Sequence, residues 1–340
     1  MQEFENKIIC GDCVQVLGNI REPFADLIFA DPPFNIGYKY DKYHDEVEGG
    51  KYIAWTREWM AACKRVLKPQ GSFYIAIGDN YAADVKIIAT RELNLVMRNW
   101  IIWHYTFGQQ TKNKFARAHT HIFYFVNDEK HFTFNDDIVR IISDRQKIYQ
   151  DKRANPAGKM PDDVWDEYPR LCGTFDERIN FPCQMPESLL GRIIRASSNK
   201  GDWVLDPFCG SGTTMAVAQK LKRKYTGIEI SKKYVKEAIE RLKNSEGAPI
   251  EGEEKRKWNG HLDAELKWLY HENKVPAQRL SSEPFLLGLF TEKFNKRIGE
   301  NVNPFQPQDV EKRLNELDSG AKLGPLKANI ESLRGAGKRA

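Results

Sequence analysis

Trp203-Val204-Leu205-Asp206-Pro207-Phe208-Cys209-Gly210-Ser211-Gly212-Thr213-Thr214 is the stretch that decides the fold of this chain. Three apolar residues read as a buried strand, Gly210 and Gly212 as a tight turn, and Thr213 to Leu221 as a helix. A strand that turns through glycines into a helix suits a nucleotide-like cofactor, because glycine lets the backbone bend sharply and approach a ligand closely. The turn lacks the full G-x-G-x-x-G fingerprint and is not G-x-x-x-x-G-K-[ST], which disfavours a dinucleotide or a nucleoside triphosphate. The next strand, Tyr225 to Ile230, carries Glu229, 17 residues past Gly212. An acidic residue at about 20 residues' distance can accept hydrogen bonds from ribose hydroxyls.

The same alternation extends outward. Glu187–Ser198 and Lys232–Lys243 read as amphipathic helices. Upstream, Lys7–Cys10, Ala25–Ala30, Ser72–Ile77, Trp100–Trp103 and Ile122–Phe125 read as strands. Residues 51 to 67 carry apolar positions at helical spacing and stop at Pro69 and Gly71. Alternating strands and helices predict an α/β fold with a parallel sheet covered on both faces. Residues 127–179 interrupt the pattern with a polar, charged insert. Residues 246–256 read as a linker of Gly, Pro and charge, and 257–340 as a helical tail. The segments Phe285–Phe290 and Phe294–Ile298 of that tail mix apolar and basic positions, suiting a small helical core or a clamp on DNA.

Composition narrows the classes. The 340 residues include 41% hydrophobic and 11% aromatic ones, enough to build a core, and the net charge of +5 is only mildly basic. No run approaches 18 apolar residues and no secretory signal opens the sequence, so a cytoplasmic protein with no membrane span is expected. Six cysteines, Cys10, Cys13, Cys63, Cys172, Cys183 and Cys209, lack the second ligand pair of a zinc site. Reduced, unpaired thiols and no metal are expected.

Asp31-Pro32-Pro33-Phe34 ends an apolar strand. Two prolines fix two φ angles and remove two N–H donors, giving a rigid turn at the carboxyl edge of the sheet, where α/β proteins bind ligands. Asp31 supplies an acceptor and Phe34 a flat face. An exocyclic amine on a nucleobase needs both. Its lone pair is delocalised into the ring, so a rigid N–H acceptor is required to orient it, and an aromatic ring can hold the base once it leaves the helix.

Together these two turns resemble the DNA amino-methyltransferases that act on N6 of adenine or N4 of cytosine. In that family D/N/S-P-P-aromatic is the catalytic motif and D-P-F-x-G-S-G-T-T the cofactor motif. With the catalytic motif first and the cofactor motif late, the order resembles the circularly permuted beta-group. The resemblance implies a Rossmann-like doubly wound sheet and S-adenosylmethionine as cofactor. It further implies a catalytic half at 1–126, a target-recognition insert at 127–179 and a cofactor-binding half at 180–245. Ile9–Cys13 is similar to the family's opening strand, which implies Asp12 near the cofactor adenine. Phe181–Glu187 is similar to its H-P-x-Q-x-P-E segment, which implies Gln184 and Pro186 at the methionine end, with Phe181 in place of His. Lys114–Thr120 is similar to the stretch near the target base, with Thr120 in place of Glu.

Cofactor contacts are thus expected from Asp12, Asp31, Gln184, Pro186, Asp206, Pro207, Phe208, Gly210, Ser211, Gly212, Thr213 and Glu229. Base handling is expected from Asp31, Pro32, Pro33 and Phe34. DNA contacts are expected from Tyr38, Arg117, His119, Arg140, Arg145, Lys147, Lys152 and Arg153. Double-stranded DNA is the implied partner, and a homodimer and a cognate restriction endonuclease are compatible with the group. Asp rather than Ser at position 31 favours adenine over cytosine. Methylation of RNA or of a protein glutamine, and a DNA-binding protein without catalysis, are the competing readings.

Overall fold

The computed structural model describes residues 2–109, 111–141, 159–171, 181, 183–245, 248, 250, 258, 260–297, 305, 307–320 and 322–323. Backbone contacts divide the chain into a unit of residues 1–136 and 161–253 and a second unit of 137–160 and 254–340.

The first unit is built on an eight-stranded sheet. Its strands are β1 (Lys7–Cys10), β2 (Ala25–Ala30), β3 (Leu67–Ile77), β4 (Val96–Gln109), β5 (Arg117–Val126), β6 (Val164–Trp165), β7 (Trp203–Asp206) and β8 (Lys224–Glu229), ordered β1-β8-β7-β2-β3-β5-β4-β6. Side chains alternate along the central strands. Phe73, Ile75 and Ile77 of β3 join one core, with α1 (Cys13–Gly18), α2 (Gly49–Val66) and α3 (Ala82–Ile87). Tyr74 and Ala76 join the other, with α4 (Glu187–Ser197) and α5 (Thr213–Lys220). Apolar residues on both faces of one strand require cover on both sides, as a doubly wound fold provides. A further helix, α6 (Lys232–Ser245), follows β8.

Two expectations are corrected. The sheet is mixed rather than parallel: β5 is antiparallel to both β3 and β4. β4 and β5 follow one another through a short connection, and a tight hairpin can join only antiparallel strands. The Pro69–Gly71 segment does not separate α2 from the next strand, since the helix passes into β3 at Leu67. Ala25 pairs with Leu67 and Leu27 with Ser72, so the proline, which has no N–H to donate, falls in an irregular bulge of the strand.

The second unit gathers α7 (Gly260–Asn273), α8 (Ala277–Ser282), α9 (Pro284–Arg297) and α10 (Pro307–Ser319) around Leu266, Phe290, Phe294, Val310 and Leu314. Trp258 stacks on Phe305 at 4.2 Å. Of the mixed segments singled out in the sequence, Leu287, Phe290 and Phe294 are buried while Phe285 and Leu289 are exposed. Arg297 lies over Trp268 and pairs with Glu265. No helix among the described residues is long and apolar enough to cross a membrane.

Candidate active site

β2 and β7 are parallel neighbours, so the turns that follow them, at 31–34 and 206–212, open at the same edge of the sheet. Between them lies a cavity of about 840 Å³, within the range of small-molecule sites.

The glycine turn is held by carboxylates. Asp206 accepts hydrogen bonds from the Phe208 N–H (2.9 Å) and the Thr214 hydroxyl (2.6 Å). Glu229 accepts from the N–H groups of Gly210 (3.1 Å) and Ser231 (2.8 Å), clamping the turn to the end of β8. Gly210 and Gly212 sit at φ +44° and +74°, where side chains are strained, and a Cβ on Gly212 would lie 2.8 Å from that of Ala238. Beneath the turn, Glu187 is buried between Lys220 (2.6 Å) and Arg241 (3.0 Å), and Arg241 also donates to Thr213. Removing either cation would leave a buried charge incompletely matched.

The Asp-Pro-Pro-Phe turn is braced from behind. The Tyr52 hydroxyl donates to the Pro33 carbonyl at 2.6 Å, and the Phe34 ring packs against Gly78, where a Cβ would lie 3.2 Å from the ring. The loop that follows winds around Asp45, a carboxylate only 1% exposed. Its oxygens accept from the N–H groups of Asn35 (2.7 Å), Ile36 (3.1 Å) and Tyr38 (3.0 Å). Asn35 adopts φ +55° and ties the loop to Val47 and Tyr81. Further along, Asp41 accepts from the Ser231 hydroxyl at 2.6 Å, linking the loop to the cofactor-turn side of the cavity. Asp45→Ala would leave three N–H groups without their acceptor. It is expected to cut turnover at least tenfold, and limited proteolysis should show new cleavage within 35–47. Intact protection together with normal turnover would contradict this role.

Three carboxyl groups share the cavity. Burial, then the charge of Asp206, pushes Asp31 well above the ordinary carboxylate range. Burial lifts Asp206 to about 7 against the pull of Thr214 and Phe208, and burial raises Glu229 as well. Among the described residues nothing donates a hydrogen bond to Asp31. A cavity that holds unneutralised carboxylates is built for a cation or for N–H and O–H donors.

At the opposite wall Asp79 pairs with Arg117 (2.9 Å), His119 (3.4 Å) and His121 (3.2 Å). Asp79, His119 and His121 are grouped closely enough to hold a metal ion. The indole of Trp100 decides otherwise. It donates to Nδ1 of His121 at 3.0 Å, so the ring proton sits on Nε2 and points at Asp79. A metal on Nε2 would put that proton on Nδ1, donor against donor. The cluster is an anchor for Arg117 and His119.

Of the residues expected at the cofactor, Asp12, Asp31, Gln184, Asp206, Pro207, Phe208, Gly210, Ser211, Thr213 and Glu229 line the cavity. Asp12 also caps α1, accepting from the Gln15 N–H. Gly212 shapes the turn from below and Pro186 opens α4. Pro32, Pro33, Phe34, Tyr38, Arg117 and His119 line the same cavity, whereas Arg140 belongs to the second unit. Arg145, Lys147, Lys152 and Arg153 lie outside the described residues. Cys10, Cys13, Cys63, Cys183 and Cys209 are free thiols, and Cys172 lies outside the described residues. Asp45, Tyr52 and Asp79 were not foreseen. The Asn35-x-Gly37 turn directly after the motif was the available signal that the loop needs an internal acceptor.

Comparison with known proteins agrees with this geometry. M.HpaI of Haemophilus parainfluenzae, a Type II methyltransferase, is 39% identical over 238 residues, covering 70% of this chain and 74% of that protein. The DNA adenine methyltransferase YhdJ of Escherichia coli K12 is 41% identical over 243 residues, covering 69% and 82%. A DNA modification methylase of Thermus thermophilus, solved with S-adenosyl-L-methionine, shares the fold with a TM-score of 0.51 at 21% identity, over 70% of this chain and 93% of that one. The family model for DNA methylases of the N6/N4 type matches residues 25–240, and the chain belongs to that family.

Proposed function

We propose that this protein methylates N6 of adenine in duplex DNA, using S-adenosylmethionine. The observation that carries the reading is the meeting of a braced Asp-Pro-Pro-Phe turn and a carboxylate-clamped glycine turn in one cavity. The cofactor fits the donor set: it bears a sulfonium, an ammonium and two ribose hydroxyls, and the cavity offers three carboxyl groups, Asp31, Asp206 and Glu229. Bound there, it supplies an activated methyl group on a good leaving group.

The chain's own residues do the rest. Glu229 accepts from the ribose, Asp12 lies toward the adenine, and Gln184 and Asp206 face the methionine end. The adenine amino group donates to the Asp31 carboxylate and the Pro32 carbonyl, which turns its lone pair out of the ring plane. Phe34 stacks on the rotated-out base. The amine loses one proton on methylation, and the raised pKa of Asp31 suits it to hold that proton. Positioning by rigid groups supplies most of the acceleration.

Arg117, His119 and Tyr38 meet the DNA beside the cavity, and residues 127–179, with Arg140, Arg145, Lys147, Lys152 and Arg153, read the target. A cytoplasmic enzyme working beside a cognate restriction endonuclease accords with the Type II relatives. Adenine rather than cytosine is supported by Asp31 and by the name of the relative YhdJ.

The test is transfer of labelled methyl from S-adenosylmethionine to mixed-sequence duplex DNA, followed by nucleoside digestion and mass spectrometry. N6-methyldeoxyadenosine is expected. N4-methyldeoxycytidine would replace the target base, and label on RNA or protein alone would overturn the reading.

A further inference from the structure

Phe115 is 100% exposed, more than any other large apolar residue described. It stands in the connection between β4 and β5, with Lys112, Asn113 and Lys114 before it and Ala116 after it, all exposed. The turn is closed rather than loose, because the Thr111 hydroxyl donates to the Lys114 carbonyl. Its stalk is fixed too. His104 pairs with His119 and Gln109 with Arg117 across the two strands, and Asp79 holds both Arg117 and His119. Arg117 and His119 line the cavity. Phe115 is two residues from Arg117, about 7 Å of extended chain, so the ring stands at the rim of the site where the target base would enter.

A single ring in water, unsupported by apolar neighbours, is too small for a protein interface. Flanked by two lysines, it matches a different task. Lysines settle on phosphates, and an aromatic or aliphatic side chain between them can enter the base stack. We propose that Phe115 is a wedge that fills the gap left in the duplex when the target base rotates into the cavity. The proposal rests on DNA methylation by this site and adds the residue that keeps the duplex open. Phe115 does not line the cavity and is a positioning residue for the reaction.

The experiment uses the full chain, with the recognition sequence first located by sequencing DNA methylated by the wild type. Phe115→Ala and Phe115→Trp are then compared on a duplex with 2-aminopurine at the target position. Phe115→Ala is expected to lower kcat/KM by about 10–100-fold, the scale of one lost aromatic–base stack. It should also lose most of the fluorescence rise that accompanies unstacking, with cofactor affinity unchanged. Phe115→Trp is expected to restore both signals. If Phe115→Ala keeps the fluorescence rise, whether or not the rate falls, the wedge is wrong and the residue is at most a groove contact. Absence of DNA methylation by the wild type would instead overturn the methyltransferase reading.

Discussion

Asp31→Asn is expected to lower methyl transfer by about 10²–10⁴-fold while cofactor binding persists and the melting temperature stays level or rises. The first part follows from the role of the carboxylate. It is the charged acceptor for the target amine, and an amide in its place is a weaker acceptor that cannot take up a proton. The second part follows from electrostatics. Burial and Asp206 raise the pKa of Asp31, so folding favours its protonated form. Its contribution to stability is therefore complete below the ordinary Asp range and is lost as pH rises through the folded value. At neutral pH an ionised Asp31 works against folding, a penalty that asparagine does not carry. Single-turnover transfer and thermal melts measure the two parts. Near-normal transfer by Asp31→Asn would refute the mechanism, and a large fall in melting temperature would recast Asp31 as structural.

Glu229→Ala is expected to weaken cofactor binding by roughly 10–150-fold, the loss of one or two charge-assisted hydrogen bonds, with little change in single-turnover rate at saturation. The effect has two sources. The ribose loses its acceptor, and the N–H groups of Gly210 and Ser231 lose theirs, which loosens the glycine turn. A pH dependence accompanies it. Burial raises both Glu229 and Asp206, the latter to about 7, and a cationic ligand favours their ionised forms. Wild-type affinity should therefore fall as pH drops below 7, with protons released on binding above that of the buffer blank. Calorimetry in buffers of different ionisation heats reads this directly. An affinity independent of both pH and Glu229 would place the cofactor elsewhere.

Much of this site was legible from local sequence. Asp31–Phe34 and Asp206–Thr213 each pack a strand end, a turn and functional groups into a few consecutive residues, so the chain itself carries their geometry. The residues that brace them were not legible. Asp45 serves Asn35 from ten positions away, Tyr52 reaches Pro33 across 19, and Asp79 meets Arg117 and His119 across a hairpin. No periodicity marks such contacts, because they depend on how loops close rather than on which face an element presents. The antiparallel β5 escaped for a related reason: strand direction depends on the length of the connection before it, and composition does not disclose that. In the tail, helices were readable from apolar spacing, but the outward aim of Phe285 and Leu289 was not.

The pairing of β2 with β7 also governs timing. The N–H of Trp203 donates to the Asp26 carboxylate across 177 positions of sequence. Contacts of such separation form slowly, because a long loop must close before they contribute, and synthesis delivers the N-terminal half first. The base-handling turn therefore leaves the ribosome well before its cofactor counterpart exists. Until Trp203–Asp206 arrives, one long edge of β2 stands unpaired, an invitation to wrong partners that a chaperone or rapid completion must cover. A nascent chain thus holds half a catalyst, and competence to mark DNA switches on only near the end of translation.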